Sequence, residues 1–271
     1  MLRDITLGQY YAVDSPIHKL DPRVKIIAAI MYIIELFLVK TFVGFAICFG
    51  ALAIVVAVAK VPVRYILRGL KPVLLILFFT FFLNMFMIPG TEIWRLGILK
   101  VTLEGLTTAA FMSIRLVLLI IGSSMLTLTT TPLELTDGLE KLFGPLRVIK
   151  VPTHELAMTM SIALRFIPTL LEETDKIMKA QSARGADFDT GNLIQKAKSL
   201  VPVLVPLFIS AFRRANDLAM AMEARCYRGG AGRTKMKPLV YKGRDQGAYF
   251  VLLAYFAVCV LLRLIRLPIS I

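Results

Sequence analysis

Two tripeptides hold the chemistry that stands out in this chain. They are Ala183-Arg184-Gly185 and Ala224-Arg225-Cys226, with the arginines 41 residues apart. Each closes a stretch with amphipathic helical spacing. In the first stretch Leu170, Leu171, Thr174, Ile177, Met178 and Gln181 share one face, while Glu172/Lys176 and Asp175/Lys179 stand at i,i+4 on the other. In the second, Phe208, Ala211, Ala215, Leu218, Ala219 and Met222 share a stripe, opposed by Arg213 and Asp217. Pro168 followed by Thr169-Leu170-Leu171-Glu172, a capping-box pattern, predicts a helix start there. Asn192-Leu193-Ile194-Gln195 predicts a short helix, and Pro202 and Pro206 predict that a new one follows it. Gly185 predicts a stop. An arginine at a helix C-terminus complements the negative helix end, and its planar fork binds carboxylates or carbonyls bidentately. Two readings follow: a pair of arms presenting their ends to a soluble partner, or two interfacial helices whose basic residues meet lipid headgroups.

Three ionisable residues stand in apolar surroundings: Glu35, Arg115 and Arg165. Such residues are costly in lipid and are functional candidates by default. Glu35 with Arg115 could form a proton or ion path, as in a secondary transporter, or a structural pair inside a bundle. The only histidines are His18 and His154, with no HExxH pattern and no paired cysteines, so no metal centre is expected. Gly229-Gly230-Ala231-Gly232-Arg233-Thr234 is a poor phosphate loop, since Tyr227 occupies the place of the first glycine and no strand precedes it. With no convergent acid, base or nucleophile either, no enzyme activity, cofactor or ATP site of the chain's own is expected. The cluster Arg225, Arg228, Arg233, Lys235, Lys237, Lys242 and Arg244 has one nearby acid, Asp245, and stands beside an apolar run. It is read as setting topology and meeting anionic lipid, with no nucleic-acid partner.

Composition names the environment of these residues. The 271-residue chain is 57% hydrophobic and 18% charged, with mean hydropathy +0.74 and net charge +14. Disorder, a disulfide scaffold and a secreted domain are excluded, and an integral membrane protein is indicated. Residues 41–59 and 72–91 are uncharged, 105–131 hold only Arg115, and 246–262 are uncharged, so each reads as a span. The stretch 24–39 is shorter and holds Glu35, but Asp21-Pro22 reads as a helix start and Lys40-Thr41 as a boundary. Residues 1–23 are polar, so no cleavable signal is expected. The expected fold is all-α and polytopic, with about five transmembrane helices. Residues 1–131 form an N-terminal membrane domain, 132–245 a cytoplasmic region of amphipathic helices, and 246–271 a last transmembrane helix. Lys60, Arg64, Arg68 and Lys71, with no acid among them, read as an inside loop. The N-terminus is then cytoplasmic and the C-terminus outside, with Arg263 and Arg266 at the outer end.

The two Ala-Arg-small tripeptides, each ending an amphipathic helix ahead of a final span, resemble the paired Ala-Arg-Gly motifs of the transmembrane (T) component of energy-coupling factor transporters, the EcfT/CbiQ family. This is a branch of the ABC transporters. The resemblance covers nearly the whole chain, from the Asp21-Pro22-Arg23-Val24-Lys25 entry to the last span. Cys226 stands where glycine is common. The resemblance implies a subunit that holds no substrate and hydrolyses nothing. It implies two cytosolic ATPase subunits as partners, and a membrane-embedded substrate-binding (S) component that captures a vitamin or a transition-metal ion. Arg184 and Arg225 would anchor the coupling helices in the ATPases. Ala183, Gly185, Ala224 and Cys226 would be small neighbours permitting close approach, and the apolar stripes with 132–150 would form the platform for the S component.

Overall fold

Helix α1 (Pro22–Leu38) starts where Asp21-Pro22 predicts. Asp21 is the N-cap, its carboxylate accepting from the Arg23 amide at 2.9 Å, and Pro22 occupies the first turn, where a missing N–H is no loss. The computed structural model describes residues 10–96, 99–149, 152–188, 192–229, 236 and 238–264. Residues 230–235, Lys237 and Arg266, all considered above, lie outside them.

Val39 to Thr41 separates α1 from α2 (Phe42–Ala59), whose N-cap Thr41 accepts from the Gly44 amide at 3.2 Å. Then α3 (Val63–Leu70), a 3-10 turn (Lys71–Val73) and α4 (Leu74–Met87) run on with little interruption. Arg64 and Arg68 therefore stand on a helix, not in the loop expected from their charge. The span ends at Met87 rather than 91, because Pro89 drives Ile88 into extended backbone (φ −82°, ψ 121°). An unexpected hairpin follows. Strands β1 (Glu92–Leu96) and β2 (Leu99–Thr102) pair antiparallel, with Trp94 opposite Val101 and a bulge between Glu92 and Trp94. Helix α5 (Leu103–Thr129) opens on Thr102, and α6 (Pro132–Leu142) opens with a Thr131/Glu134 capping box. A 3-10 turn (Gly144–Ile149) leads to α7 (Thr153–Ala183), α8 (Leu193–Ala224) and α9 (Gly243–Leu264). The protein is thus a helical polytopic membrane protein, with one small hairpin among the described residues.

Among the described residues five helices are long and apolar enough to cross a membrane: Phe42–Ala59, Val63–Met87, Leu103–Thr129, Ile194–Ala224 and Gly243–Arg263. The set differs from the expected one in two members. Helix α1 has 17 residues, about 25 Å of helix against a hydrocarbon core of about 30 Å. Helix α8 enters the set because it is continuous through Pro202 and Pro206, which joins the uncharged 199–212 run to the amphipathic stretch behind it.

The described residues fall into two compact units, one from Gly8–Gly138 with Leu239–Ile271, the other from Leu139–Pro238. The first has a core of Leu36, Phe45, Cys48, Leu52, Leu118 and Leu128, drawn from α1, α2 and α5. Its outward residues are also apolar: Leu75 is 78% exposed and Phe250 76%. Apolar surface on both sides of a helix is the pattern of a bundle solvated by lipid. Gly122 on α5 allows Tyr32 of α1 to lie against the backbone, since a Cβ there would come within 2.5 Å of the ring.

Asp245 ties the N-terminus of α9 to that of α1. Its Oδ1 accepts the Asp21 amide at 2.9 Å and its Oδ2 the Lys242 amide at 2.8 Å, and the residue is buried. Arg23 completes the corner, forking onto Asp21 and lying 3.7 Å from the centre of the Tyr241 ring. Burial raises the Asp21 carboxyl's pKa, but the Arg23 guanidinium and amide outweigh it and hold it below its ordinary value.

Candidate functional site

The unit formed by Leu139–Pro238 carries both tripeptides, and the local structure explains their composition. Helix α7 ends with the Gly185 amide bonded to the Ser182 carbonyl and the Ala186 amide to the Gln181 carbonyl, each at 3.0 Å. This is a Schellman ending, which requires a left-handed residue just past the cap. Gly185 supplies it at φ +88°. Helix α8 ends the same way. The Cys226 amide bonds Glu223 at 2.8 Å, the Tyr227 amide bonds Met222 at 3.0 Å, and Cys226 takes φ +54°. Cys226 therefore does the work of Gly185 in a conformation that costs a residue with a Cβ about 1–2 kcal/mol. Alanine is the last helical residue, arginine the cap, and the third residue the reversal. All six residues are exposed, and no hydrogen bond or ion pair reaches either guanidinium among the described residues.

Both helices are continuous where breaks were expected. Pro168 lies inside α7, so the Thr169–Glu172 capping box does not form; Pro202 and Pro206 lie inside α8. The Asn192/Gln195 start is a true capping box, with the Asn192 amide bonding Gln195 Oε1 at 3.1 Å, but it opens the entire helix. A proline cannot donate to the carbonyl four residues back. Pro206 thus frees the Pro202 carbonyl, which accepts from Gln181 Nε2 of α7 at 3.4 Å. The proline serves helix–helix contact rather than termination.

The two helices run antiparallel. Gln181 meets Pro202, and Glu173 meets Arg214 at 2.9 Å and the Ser210 hydroxyl. Met222, Leu218 and Ala215 of α8 share a shallow cavity with Ile162, Phe166 and Leu170 of α7. The stripe read from the sequence is thus largely the face turned to α7, with Phe208 left 64% exposed. Arg225 consequently stands near Ile162, while Arg184 lies 22 residues along α7 from Ile162, about 33 Å of helix. The matched arginines occupy opposite ends of one hairpin.

The Glu173 cluster went unseen in the sequence. Its carboxyl is held below the ordinary value, first by the Ser210 hydroxyl and then by Arg214. The i,i+4 partners proposed within each helix do not come within ion-pair distance among the described residues. Spacing along one helix cannot reveal a pair made across two, although Glu173, Ser210 and Arg214 all carry the polarity it needs.

Glu35 and Arg115 do not pair. The Arg115 guanidinium donates to the Val39 carbonyl at 3.1 Å and lies 5.4 Å from the Phe45 ring centre. Glu35 is buried among α1, α2, α5 and α9 beside Tyr32 and Tyr255. The two-residue ion path considered above thus lacks its geometry. Arg165 stands exposed on α7. His18 and His154 have separate partners: His18 meets Ser15 and the Tyr11 carbonyl, and His154 lies 3.0 Å from Glu140. No group of three metal-ligating side chains occurs among the described residues.

A helical bundle with apolar outer faces, in one chain with a helix hairpin that carries two matched arginine caps, is a membrane protein by its fold. The family described as CbiQ, cobalt transport protein, matches residues 14–236. The chain is 58% identical over 266 residues to the energy-coupling factor transporter transmembrane protein EcfT of Clostridium kluyveri, covering 97% of this chain and 98% of that one. The protein of the same name from Ruminiclostridium cellulolyticum is 58% identical over 245 residues, 90% of this chain and 92% of that one. That of Bacillus subtilis is 47% identical over 265 residues, 97% of this chain and all of its own. The chain belongs to the CbiQ/EcfT family of energy-coupling factor transporter transmembrane components.

Proposed function

We propose that this chain couples ATP hydrolysis by two cytosolic ABC-type ATPase subunits to import of a vitamin or transition-metal ion, which a separate membrane-embedded S component captures. The chain itself is non-catalytic and takes ATP's energy only through its partners. The observation that carries this reading is the pair of like-built helix ends, exposed and with guanidinia that meet no partner among the described residues, at opposite ends of one hairpin. Two like sites suit two like partners. Ala183, Arg184 and Gly185 engage one ATPase, and Ala224, Arg225 and Cys226 the other. At each, the arginine fork meets carboxylates or carbonyls while its small neighbours allow close approach.

The hairpin is suited to transmit motion. Two long helices clamped by Glu173, Ser210, Arg214 and Gln181 shift as a rigid body when the ATPases close, the kind of discrete displacement by which packed elements pass on change. The exposed residues Leu204, Val205, Phe208, Ile209 and Phe212 of α8 form the apolar face offered to the S component. The chain lies in the cell membrane with its N-terminus and coupling helices cytoplasmic and its C-terminus outside, a topology in which short α1 spans together with α2, α4, α5 and α9 and α8 does not.

Co-purification from membranes with the host's ATPase subunits tests the proposal. The wild-type chain is expected to bring down two ATPases, and Arg184→Ala/Arg225→Ala to lose them while keeping its melting temperature. A wild-type chain that purifies alone and transports in proteoliposomes without ATPases overturns it.

A further inference from the structure

Helices α1, α2, α5 and α9 enclose an apolar groove of about 560 Å³, within the range of about 300–1,000 Å³ typical of sites that hold small ligands. It exists because the residues turned into it are small: Ala28, Ala29, Gly122, Gly247 and Ala248. Its charged groups sit at two levels. Lys25 and Arg244, in the first turns of α1 and α9, stand at one end. Ten residues along α1, about 15 Å, Tyr32, Glu35 and Tyr255 close the other. Between them the walls are hydrocarbon.

The basic end keeps hydrogen-bond donors to spare, although the Glu134, Asp21 and Asp245 carboxylates lie within reach of the Lys25 charge. Lys25 is buried, yet its ammonium donates only to the His18 and Thr129 carbonyls, at 2.9 and 2.8 Å, which leaves one of its three donors over. Arg244 is exposed and makes no ion pair among the described residues. The nearby carboxylates are already engaged: Asp21 by Arg23, Asp245 by two backbone amides, and Glu134 by the Thr131 amide. The N-termini of α1 and α9 add the positive ends of two helix dipoles. An apolar slot between membrane helices, with a spare ammonium donor and an exposed guanidinium at its mouth, suits one kind of molecule in a bilayer.

We infer that this groove binds an anionic phospholipid, its phosphate at Lys25 and Arg244 and one acyl chain lying along α1 as far as Tyr32. The occupant joins α9 to α1, α2 and α5, acting as a wedge between helices rather than as a transported species.

The test is native mass spectrometry of the full-length chain, released from detergent with equal amounts of dioleoyl phosphatidylglycerol and dioleoyl phosphatidylcholine. The wild type is expected to retain the anionic phosphatidylglycerol preferentially. Arg244→Gln, at an exposed position, should reduce that preference about five-fold, the usual effect of one basic contact. Ala248→Phe fills the groove without touching a charge and should lower retention of both lipids. Lys198→Gln on α8, outside the groove, should change nothing. Melting temperatures close to wild type establish that the variants are folded. Equal retention by wild type, Arg244→Gln and Ala248→Phe would mean a surface annulus only and would overturn the inference. So would a wild type with no preference between the two headgroups.

Discussion

Gly185 and Cys226 occupy the same position in two equivalent helix endings, so exchanging their character should have opposite effects. Gly185→Ala places a side chain at φ +88°, farther from the left-handed minimum near +57° than Cys226 at φ +54°. Nothing lies within 4 Å of the added Cβ, so the entire cost is backbone strain, about 2 kcal/mol. Alanine returns roughly 0.4–1 kcal/mol by restricting the unfolded chain. The net loss is about 1 kcal/mol, or about five-fold in a local opening equilibrium. Cys226→Gly runs the other way: strain of about 1–2 kcal/mol is relieved against the greater unfolded-state entropy of glycine, leaving a gain of about 0.5–1 kcal/mol. Hydrogen exchange of the intact chain in nanodiscs reads both. The amides of Gly185 and Ala186, bonded to Ser182 and Gln181, should exchange faster in Gly185→Ala by about five-fold. Those of Tyr227 and its helix end should exchange more slowly in Cys226→Gly. Unchanged exchange in the first variant, or faster exchange in the second, would refute the argument that a left-handed reversal sets both arginines in place.

Three further outcomes are expected. The Glu173 carboxylate's contribution to the α7/α8 clamp is complete above the unfolded group's 4.5 and is lost as pH falls through its lower folded value; Glu173→Gln should remove that acid limb from the melting curve and cost about 1 kcal/mol for a partly exposed pair. Asp245→Ala strips a helix cap and leaves the Asp21 amide unpaired, and should lower stability by about 3 kcal/mol in a thermal melt in detergent. Burial holds the His18 imidazole below its ordinary 6.5, so protonation opposes folding and stability declines as pH drops through that value. The Tyr11 amide, bonded to the Leu128 carbonyl at 2.9 Å, should then lose protection, corrected for intrinsic rate, between about pH 7.5 and 5.5.

The setting of each arginine, rather than its charge, separates the two ends of the hairpin from the arginines that hold the fold. Arg23, Arg115 and Arg214 are each spent on a neighbour: Asp21, the Val39 carbonyl and Glu173. Arg184 and Arg225 stand on helix caps whose own backbone bonds are complete, so the guanidinium is not needed for the fold. That freedom is why the proposed loss of ATPase binding can be separated from loss of structure.

Much of this was legible in the residue order. Hydropathy and length are sums over consecutive residues, so α2, α4, α5 and α9 could be found without coordinates. Helix ends depend on a few adjacent residues, so Asp21-Pro22, Thr41 and Ala183-Arg184-Gly185 announced themselves. Where a local signal competed with packing, it was overruled. Pro168, Pro202 and Pro206 read as helix starts, yet each is carried inside a helix, and the carbonyl that Pro206 leaves free is met by Gln181 from the neighbouring helix. The hairpin at Glu92–Thr102 was missed because short strands owe their pairing to each other rather than to composition. Sequence by itself determined that the chain is a membrane protein with two matched arginine caps, because both follow from near neighbours. Only the tertiary structure decided that Glu173 belongs to Ser210 and Arg214, that Glu35 and Arg115 part company, and that Asp245 closes onto Asp21 from 224 residues away. Those bonds join segments whose approach no local spacing encodes.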